Sequence, residues 1–218
     1  MERRKALKNM GLAFGYTVAA PTLISLVQSC STKKVLDWTP DFFSKDEGTV
    51  IHTLVDMILP KTDTPSATEV NVHVFIDQFA KEVLPEEHQN FLRLGMGKFF
   101  DKALADSQKE SLAELKEEDL DPLLATYLKK RTKDVEEAHE KAIEEYFMGI
   151  EQNGSAVLDD EIALVSFAHS LRDISIWSYK NSEYVGEEVL AYLPIPGQYI
   201  ACDDVQTLTQ GRAWSPER

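Results

Sequence analysis

Signals that start a helix recur along this chain, and each is followed by apolar residues at helical spacing. The first is Ser44 with Glu47, a pair whose side chains can each accept a hydrogen bond from a free backbone N–H of the first turn. The apolar stripe behind this pair predicts a buried helix face that ends at Pro60, and its members are Val50, Ile51, Leu54, Val55 and Ile58. No run of alternating apolar and polar residues indicates a strand. The predicted fold class is all-α, a single compact multi-helix domain.

The later start signals predict the remaining helices. In chain order they are Ser66 with Glu69 or Asn71, Glu86, Ser107 with Glu110, Asp121 followed by Pro122, Thr132, and Asp159–Asp160. The helix after Thr132 should end at Asn153-Gly154. The apolar residues at helical spacing that it should bury in the core are Val135, Ala138, Ala142, Ile143, Tyr146, Phe147 and Ile150. A short helical turn near Ser182–Leu190 precedes a tail, residues 191–218, without strong periodicity.

The N-terminus has the layout of a bacterial export signal. A basic head containing Arg3 and Arg4 precedes a run from Asn9 to Ser29 that holds no charged residue. The paired arginines favour the twin-arginine type of signal, which carries proteins that are already folded. We therefore divide the chain into a signal peptide at 1–29, a tether at 30–43 and a helical domain at 44–218. A retained membrane anchor and a core helix are the alternative interpretations of the apolar run.

Cys30 follows Ser29 directly and resembles a lipoprotein acceptor site. A lipid on Cys30 would tether the mature protein to a membrane without a spanning helix. The expected location is the periplasm, and any membrane association would come from the signal or from this lipid. If Cys30 is lipidated, Cys202 has no cysteine partner in its own chain. Cys202 then either pairs with another chain or is a buried thiol.

The charge of the chain excludes one class of partner. Its formal charge is −14, and the first 29 residues hold four basic residues against one acidic residue, so the remainder is more acidic still. Such a surface repels nucleic-acid backbones and anionic lipid headgroups. Nucleic acid is therefore not an expected partner.

No sequence motif for a cofactor or a nucleophile occurs in the chain. We therefore expect no catalytic residue, cofactor or resident metal here, and a folded-export signal then suggests a partner that carries the cofactor. Two alternatives stay open. Glu136 and His139 have the spacing of a di-iron ligand pair, which would suit a self-sufficient metal enzyme, although no second pair is present. A periplasmic lipoprotein could also bind carbohydrate through Trp38, Trp177 and Trp214.

Two stretches without helical periodicity hold further information. Leu59–Ala67 contains two prolines and reads as a rigid turn, in which Thr62 and Asp63 can accept backbone hydrogen bonds. Tyr192–Tyr199 also contains two prolines and reads as an extended ribbon that lacks some N–H donors. Either stretch can serve its own fold alone or contact another chain.

These stretches resemble those of the gluconate 2-dehydrogenase subunit 3 family. The first part of the resemblance comprises Leu59-Pro60, Thr62-Asp63-Thr64-Pro65, Val72 and Phe75-Ile76-Asp77. The second comprises Phe167 through Tyr179, Tyr184-Val185-Gly186, Tyr192 and Pro194-Ile195-Pro196-Gly197. The resemblance runs from about Ser44 to Gln198. Ser66 stands where the family leads us to expect glycine.

The resemblance implies a non-catalytic accessory subunit of a periplasmic or membrane-associated dehydrogenase of sugars or polyols. Its partner would be a large flavoprotein of the glucose-methanol-choline type that carries FAD and lacks its own export signal, and a cytochrome c would accept electrons. The small subunit would supply the export signal and help the partner mature. The resemblance points to partner contacts at Thr62, Asp63, Thr64, Pro65, Pro194, Pro196, Gly197 and Tyr199. It also makes Cys202 a candidate for an interchain disulfide.

Overall fold

The computed structural model describes residues 38–193, 197 and 202–216. The described helices are α1 Lys45–Ile58, α2 Val72–Glu82, α3 Glu86–Ser107, α4 Glu117–Tyr127, α5 Lys133–Asn153, α6 Asp160–Asn181 and α7 Val205–Thr209. Short 3₁₀ turns at Thr68–Val70 and Leu112–Glu114 and a π-helical turn at Val185–Val189 complete the order. Within these ranges the only extended pairing is an isolated bridge between Ala191 and Trp214. The all-α prediction is confirmed.

No helix among the described residues is long and apolar enough to cross a membrane. The signal peptide predicted for residues 1–29, with Arg3, Arg4 and the adjacent Cys30, lies outside the described residues.

Several predicted helix ends agree with the structure. Ser44 N–H donates to Glu47 Oε2 over 2.7 Å, and Glu47 N–H donates to Ser44 Oγ over 3.3 Å, so the capping box before α1 is confirmed. α5 ends at Gly154, whose φ of 71° lies in the left-handed region that favours glycine. The Asp159 carboxylate accepts a hydrogen bond from Glu161 N–H at the start of α6. These ends form as predicted because each depends on residues a few positions apart.

α6 is the central helix of the bundle. It packs against α1, α2, α3, α4 and α5, and it buries residues on more than one face: Ala163, Leu164, Val165, Phe167, Ala168, Leu171, Ser175 and Ser178. A helix that is apolar around most of its circumference requires neighbours on several sides. The buried Ser175 hydroxyl donates to Leu171 O over 2.6 Å, so this polar group does not oppose burial.

The contact between α3 and α6 is close because Gly95 has no side chain. A Cβ atom at Gly95 would lie 2.8 Å from the carbonyl oxygen of Ala163 and 3.0 Å from Cβ of Phe167. One turn further, the fully buried Phe99 ring packs against the Phe167 ring with centroids 5.2 Å apart. At Gly97 a Cβ would meet nothing within 4 Å. Of these two positions, only Gly95 therefore requires a glycine.

The predicted core stripe of α5 is only partly buried. Val135 is 40% exposed and Ala138 is also exposed, so the prediction is wrong for the first half of the helix. The second half packs through Tyr146, whose ring lies 5.6 Å from that of Phe91 on α3, in a small cluster that includes Leu158. The reason is tertiary, because the residues that cover α5 lie only beside its C-terminal half.

The predicted capping box at Ser107 and Glu110 does not start a helix. Ser107 is instead the last residue of α3, and its hydroxyl donates to Ala103 O over 2.7 Å. Gln108 follows with a φ of 55°, which ends the helix in a left-handed turn. The short 3₁₀ turn that follows is capped by Ser111. Serine serves both helix ends because its hydroxyl both donates and accepts.

The predicted helix start at Asp121-Pro122 is wrong, because Pro122 lies inside α4. The Asp119 carboxylate accepts the Lys116 N–H over 2.8 Å and so caps an earlier start. Burial alone would raise the pKa of Asp119, but its hydrogen bonds and ion pairs outweigh burial and lower that pKa. The earlier start places Leu120 in the core, where it is fully buried. The free energy gained by burying Leu120 outweighs the loss of the backbone hydrogen bond that Pro122 cannot donate.

Candidate docking surface

The turn between α1 and the first 3₁₀ segment is closed by backbone hydrogen bonds. Ala67 N–H donates to Leu59 O over 3.0 Å, and Thr62 N–H donates to Thr64 O over 3.0 Å. As predicted, the Thr62 hydroxyl accepts a backbone bond, from Thr64 N–H over 3.4 Å, whereas the Asp63 carboxylate has no such bond within the described part of the chain. Asp63 is exposed at the tip of the turn. The turn is therefore preformed, and its tip faces solvent.

The predicted capping box at Ser66 and Glu69 forms only in half. Ser66 N–H donates to the Glu69 carboxylate over 3.0 Å, but the buried Ser66 hydroxyl bonds to the Thr68 hydroxyl instead. The hydrogen bond from Lys61, then that from Ser66 N–H, lowers the pKa of Glu69. α2 starts after Asn71, whose φ of 60° is left-handed and whose side chain makes no capping bond. Ser66 thus takes part in the turn, and Asn71 marks the start of α2.

Tyr179 joins this turn to the end of α6. Its hydroxyl donates to the Pro65 carbonyl oxygen over 2.7 Å, across 114 residues of sequence. The turn belongs to the first part of the family resemblance and Tyr179 belongs to the second. The structure therefore brings part of both stretches to one place on the surface.

Three aromatic rings lie where α2 packs against α6. Phe75 and Phe79, one turn apart on α2, stack with centroids 5.7 Å apart. The Trp177 ring on α6 lies 5.3 Å from Phe75 and 6.3 Å from Phe79, yet Trp177 is 52% exposed. We call these three residues the aromatic patch. Phe75 and Phe79 are half-buried, so Trp177 is the exposed member of the patch.

One cleft adjoins the aromatic patch, and a second cleft lies next to the first. The first has a volume of about 230 Å³, includes Phe75 in its lining and shares Val70, Asn71 and Ser182 with the second. The second has a volume of about 540 Å³ and is lined by four glutamates, Glu69, Glu183, Glu187 and Glu188, with no basic residue in its lining. We call it the glutamate cleft. The patch and the cleft are therefore neighbours on one surface.

The chain after α6 returns to this region. Ala191 N–H donates to Ala213 O, and Ser215 N–H donates to Ala191 O, which forms the isolated bridge. The Arg212 guanidinium donates to Glu188 O over 3.3 Å. Seven of the eleven exposed large apolar side chains of the described residues lie in this C-terminal quarter: Trp177, Tyr184, Tyr192, Leu193, Val205, Leu208 and Trp214. Of these, Trp177 belongs to the aromatic patch and Tyr184 lines the glutamate cleft.

The remaining predicted contact residues are placed as follows. Thr62 is exposed, and Thr64 and Pro65 are half-buried. Gly197 is exposed, and the ribbon residues that lie outside the described part are Pro194, Pro196 and Tyr199. Cys202 is exposed, so the interpretation as a buried thiol is wrong. Its pairing with another chain stays a prediction.

The residues behind the two alternative functions are also located. Glu136 and His139 lie on α5, and among the described residues no group of three or more His, Cys, Asp or Glu could hold a metal ion. Trp38 packs edge-on against His73, with centroids 5.3 Å apart, whereas Trp177 packs on the phenylalanines of α2. Trp38 and Trp177 thus belong to different aromatic clusters.

Sequence reasoning assigned no role to Asp77, although the structure gives it one. The Asp77 carboxylate is 1% exposed and accepts three backbone N–H groups, those of Asp41, Phe42 and Phe43, over 2.7, 3.0 and 2.9 Å. Arg93 donates to Phe42 O over 2.8 Å and lies 4.1 Å above the Phe42 ring centre. The sequence offered two signals for Asp77, its place in the family resemblance and its position directly after the apolar Ile76. Asp77 fixes the segment that leads into α1.

Residues 45–197 match the family model for gluconate 2-dehydrogenase subunit 3. The chain belongs to the gluconate 2-dehydrogenase subunit 3 family. The resemblance seen in the two non-periodic stretches is thereby confirmed. The family is a subunit family of a dehydrogenase complex, which implies a dehydrogenase partner. No match was found among curated proteins or among solved structures.

Proposed function

We propose that this chain is the non-catalytic accessory subunit of a periplasmic or membrane-associated, FAD-dependent dehydrogenase of a sugar or polyol. The partner is a flavoprotein of the glucose-methanol-choline type that holds the FAD and performs the oxidation. This chain supplies the twin-arginine signal, supports maturation of the flavoprotein and stays bound to it, and a cytochrome c takes the electrons.

The observation that carries the proposal is the Tyr179–Pro65 hydrogen bond. It joins part of the two family stretches at the end of α6, the helix that also carries the 52% exposed Trp177. An exposed aromatic ring at such a place suits contact with another protein. Membership in a subunit family supports the same conclusion.

Purification of the native complex through a tag on this chain tests the proposal. We expect a larger protein to co-purify, with the absorption bands of oxidised flavin and with dehydrogenase activity toward a sugar or polyol. The separated small chain should show no turnover. Turnover by the isolated chain would refute the proposal, as would stoichiometric iron or manganese bound to it. A monomer that binds saccharides and retains no flavoprotein would also refute it.

The export role is tested in vivo with a charge-preserving variant. Replacing both Arg3 and Arg4 by lysine keeps the basic head but removes the paired arginines that the twin-arginine route requires. We expect both this chain and its flavoprotein partner to remain in the cytoplasm. Lys8→Arg is the matched control and should be exported normally. Normal export of the double-lysine variant would refute the twin-arginine assignment.

A further inference from the structure

The Trp177 ring of the aromatic patch is supported by contacts within the chain itself. Phe75 and Phe79 stack on each other and support the Trp177 ring from α2, while Trp177 itself stands on the central helix α6. A large aromatic ring that is fixed in place loses little conformational entropy when it is covered. Tryptophan is also the residue type most enriched among those that dominate binding energy at protein interfaces. The exposure of Trp177 in a fixed position therefore marks it as an anchor.

The charge beside the patch restricts what can cover it. The glutamate cleft adjoins the patch through their shared neighbour cleft, and no basic residue lines it. Two basic residues at this surface have other bonds: Lys61 pairs with Glu69, and Arg212 donates to backbone carbonyl oxygens. A covering surface must therefore bring apolar contact for Trp177 and positive charge for the glutamates.

We propose that the aromatic patch and the glutamate cleft form one docking surface for the dehydrogenase partner subunit. The partner presents an apolar recess that receives the Trp177 ring and, beside it, lysine or arginine side chains that pair with Glu187 and Glu188. This proposal rests on the proposed function, because it takes the occupant to be that subunit. It adds where the partner binds and what chemistry its surface carries.

Two other occupants fit the charges less well. A second copy of this chain, related by a two-fold axis through the patch, would bring two glutamate clefts toward each other, and like charges at an interface oppose binding. A membrane surface with anionic headgroups would likewise be repelled by the four glutamates. A protein with a basic rim satisfies both the apolar and the charged part of the surface.

The test compares matched variants of the full complex by measuring the dissociation constant between the two purified subunits. Trp177→Ala should weaken binding at least tenfold, as expected for a central aromatic anchor, and Trp177→Phe should recover part of the affinity. The control Val157→Ala removes an apolar side chain that is 97% exposed before α6, and it should leave binding unchanged. Thermal unfolding of each free variant separates lost binding from lost folding.

A second pair of variants tests the charged part of the docking surface. Glu187→Lys with Glu188→Lys should weaken binding and reduce its dependence on salt, because two of the attracting charges then repel the basic rim and offset those that remain. Glu140→Lys with Glu144→Lys changes the net charge equally on exposed positions of α5 and should have little effect. Both glutamate variants must be measured over the same range of ionic strength.

The outcomes separate this proposal from the proposed function. If the wild-type complex forms and Trp177→Ala binds within about threefold of it, the docking surface is wrong and the accessory role stands. If no dehydrogenase co-purifies with the wild-type chain, the accessory role itself is wrong. Dimerisation of the free chain that Trp177→Ala abolishes would overturn the proposed occupant in favour of a second copy.

Discussion

Removal of the Asp77 carboxylate should release the segment before α1 and strongly destabilise the domain. Two of the three N–H groups that Asp77 accepts form buried hydrogen bonds, those of Phe42 and Phe43. In Asp77→Ala these donors lose their acceptor where water cannot replace it. Each unsatisfied buried donor costs about 1–3 kcal/mol, so the variant should lose about 2–6 kcal/mol. That is a large share of the roughly 5–15 kcal/mol by which a domain is stable.

Asp77→Asn separates hydrogen bonding from side-chain size. Its amide oxygen can still accept from Phe42 and Phe43, whereas its NH₂ group would face the N–H of Asp41, and two donors cannot bond. We therefore expect a smaller loss, about 1–3 kcal/mol. Asp101→Ala is the control, because it removes an exposed carboxylate from α3 and should change stability by no more than about 0.5 kcal/mol.

The measurement is urea unfolding followed by far-UV circular dichroism, together with amide hydrogen exchange at residues 41–43. Asp77→Ala should lose both global stability and protection of these three amides. A loss below about 1 kcal/mol would refute the estimate. Unchanged protection at residues 41–43 would refute the assignment of Asp77 as their acceptor.

Three further changes have defined expectations. Gly95→Ala should destabilise the protein by about 1–3 kcal/mol because the added Cβ meets the α6 backbone. Gly97→Ala, with free space around it, should stabilise the protein by about 0.5–1 kcal/mol. Denaturant midpoints check both changes, and midpoint shifts of the same sign would contradict the close contact between α3 and α6. Tyr179→Phe should cost about 0.5–1.5 kcal/mol by removing the bond to Pro65 O, and an unchanged midpoint would exclude that bond. Burial, then nearby arginine charge, lowers the pKa of His169. Below about pH 6.5 the unfolded state therefore binds a proton at His169 that the native state does not bind, so the free energy of unfolding should fall as the pH drops. In His169→Gln this fall should be less steep. The same dependence of stability on pH in both proteins would contradict this prediction.

The helix ends show which local predictions hold. Ser44 with Glu47, Asn153-Gly154 and Asp159 act through contacts within one turn, and all three behave as predicted. Ser107 and Pro122 carry equally good local signals but do not start helices. At Pro122 the burial of Leu120 outweighs the local preference. A capping signal is thus reliable only where burial of the adjacent apolar residues agrees with it.

The candidate docking surface was only partly accessible to sequence reasoning. The turn at Thr62–Pro65 was visible because prolines and hydroxyl side chains constrain a chain locally. The position of Trp177 was not visible, since α6 has apolar residues on most of its sides and periodicity cannot tell which of them a neighbour covers. The role of Asp77 was hidden for a similar reason, because its three donors lie in a segment more than thirty residues away.

The amino-acid sequence by itself determined the helical class, most helix boundaries and the family, because caps, turns and apolar spacing act over a few residues. Only the tertiary structure decided which apolar faces stay uncovered, which carboxylate is buried, and that the Pro65 turn meets Tyr179. Those outcomes depend on contacts between distant segments, and burial in a shared core, rather than local preference, sets their free energy.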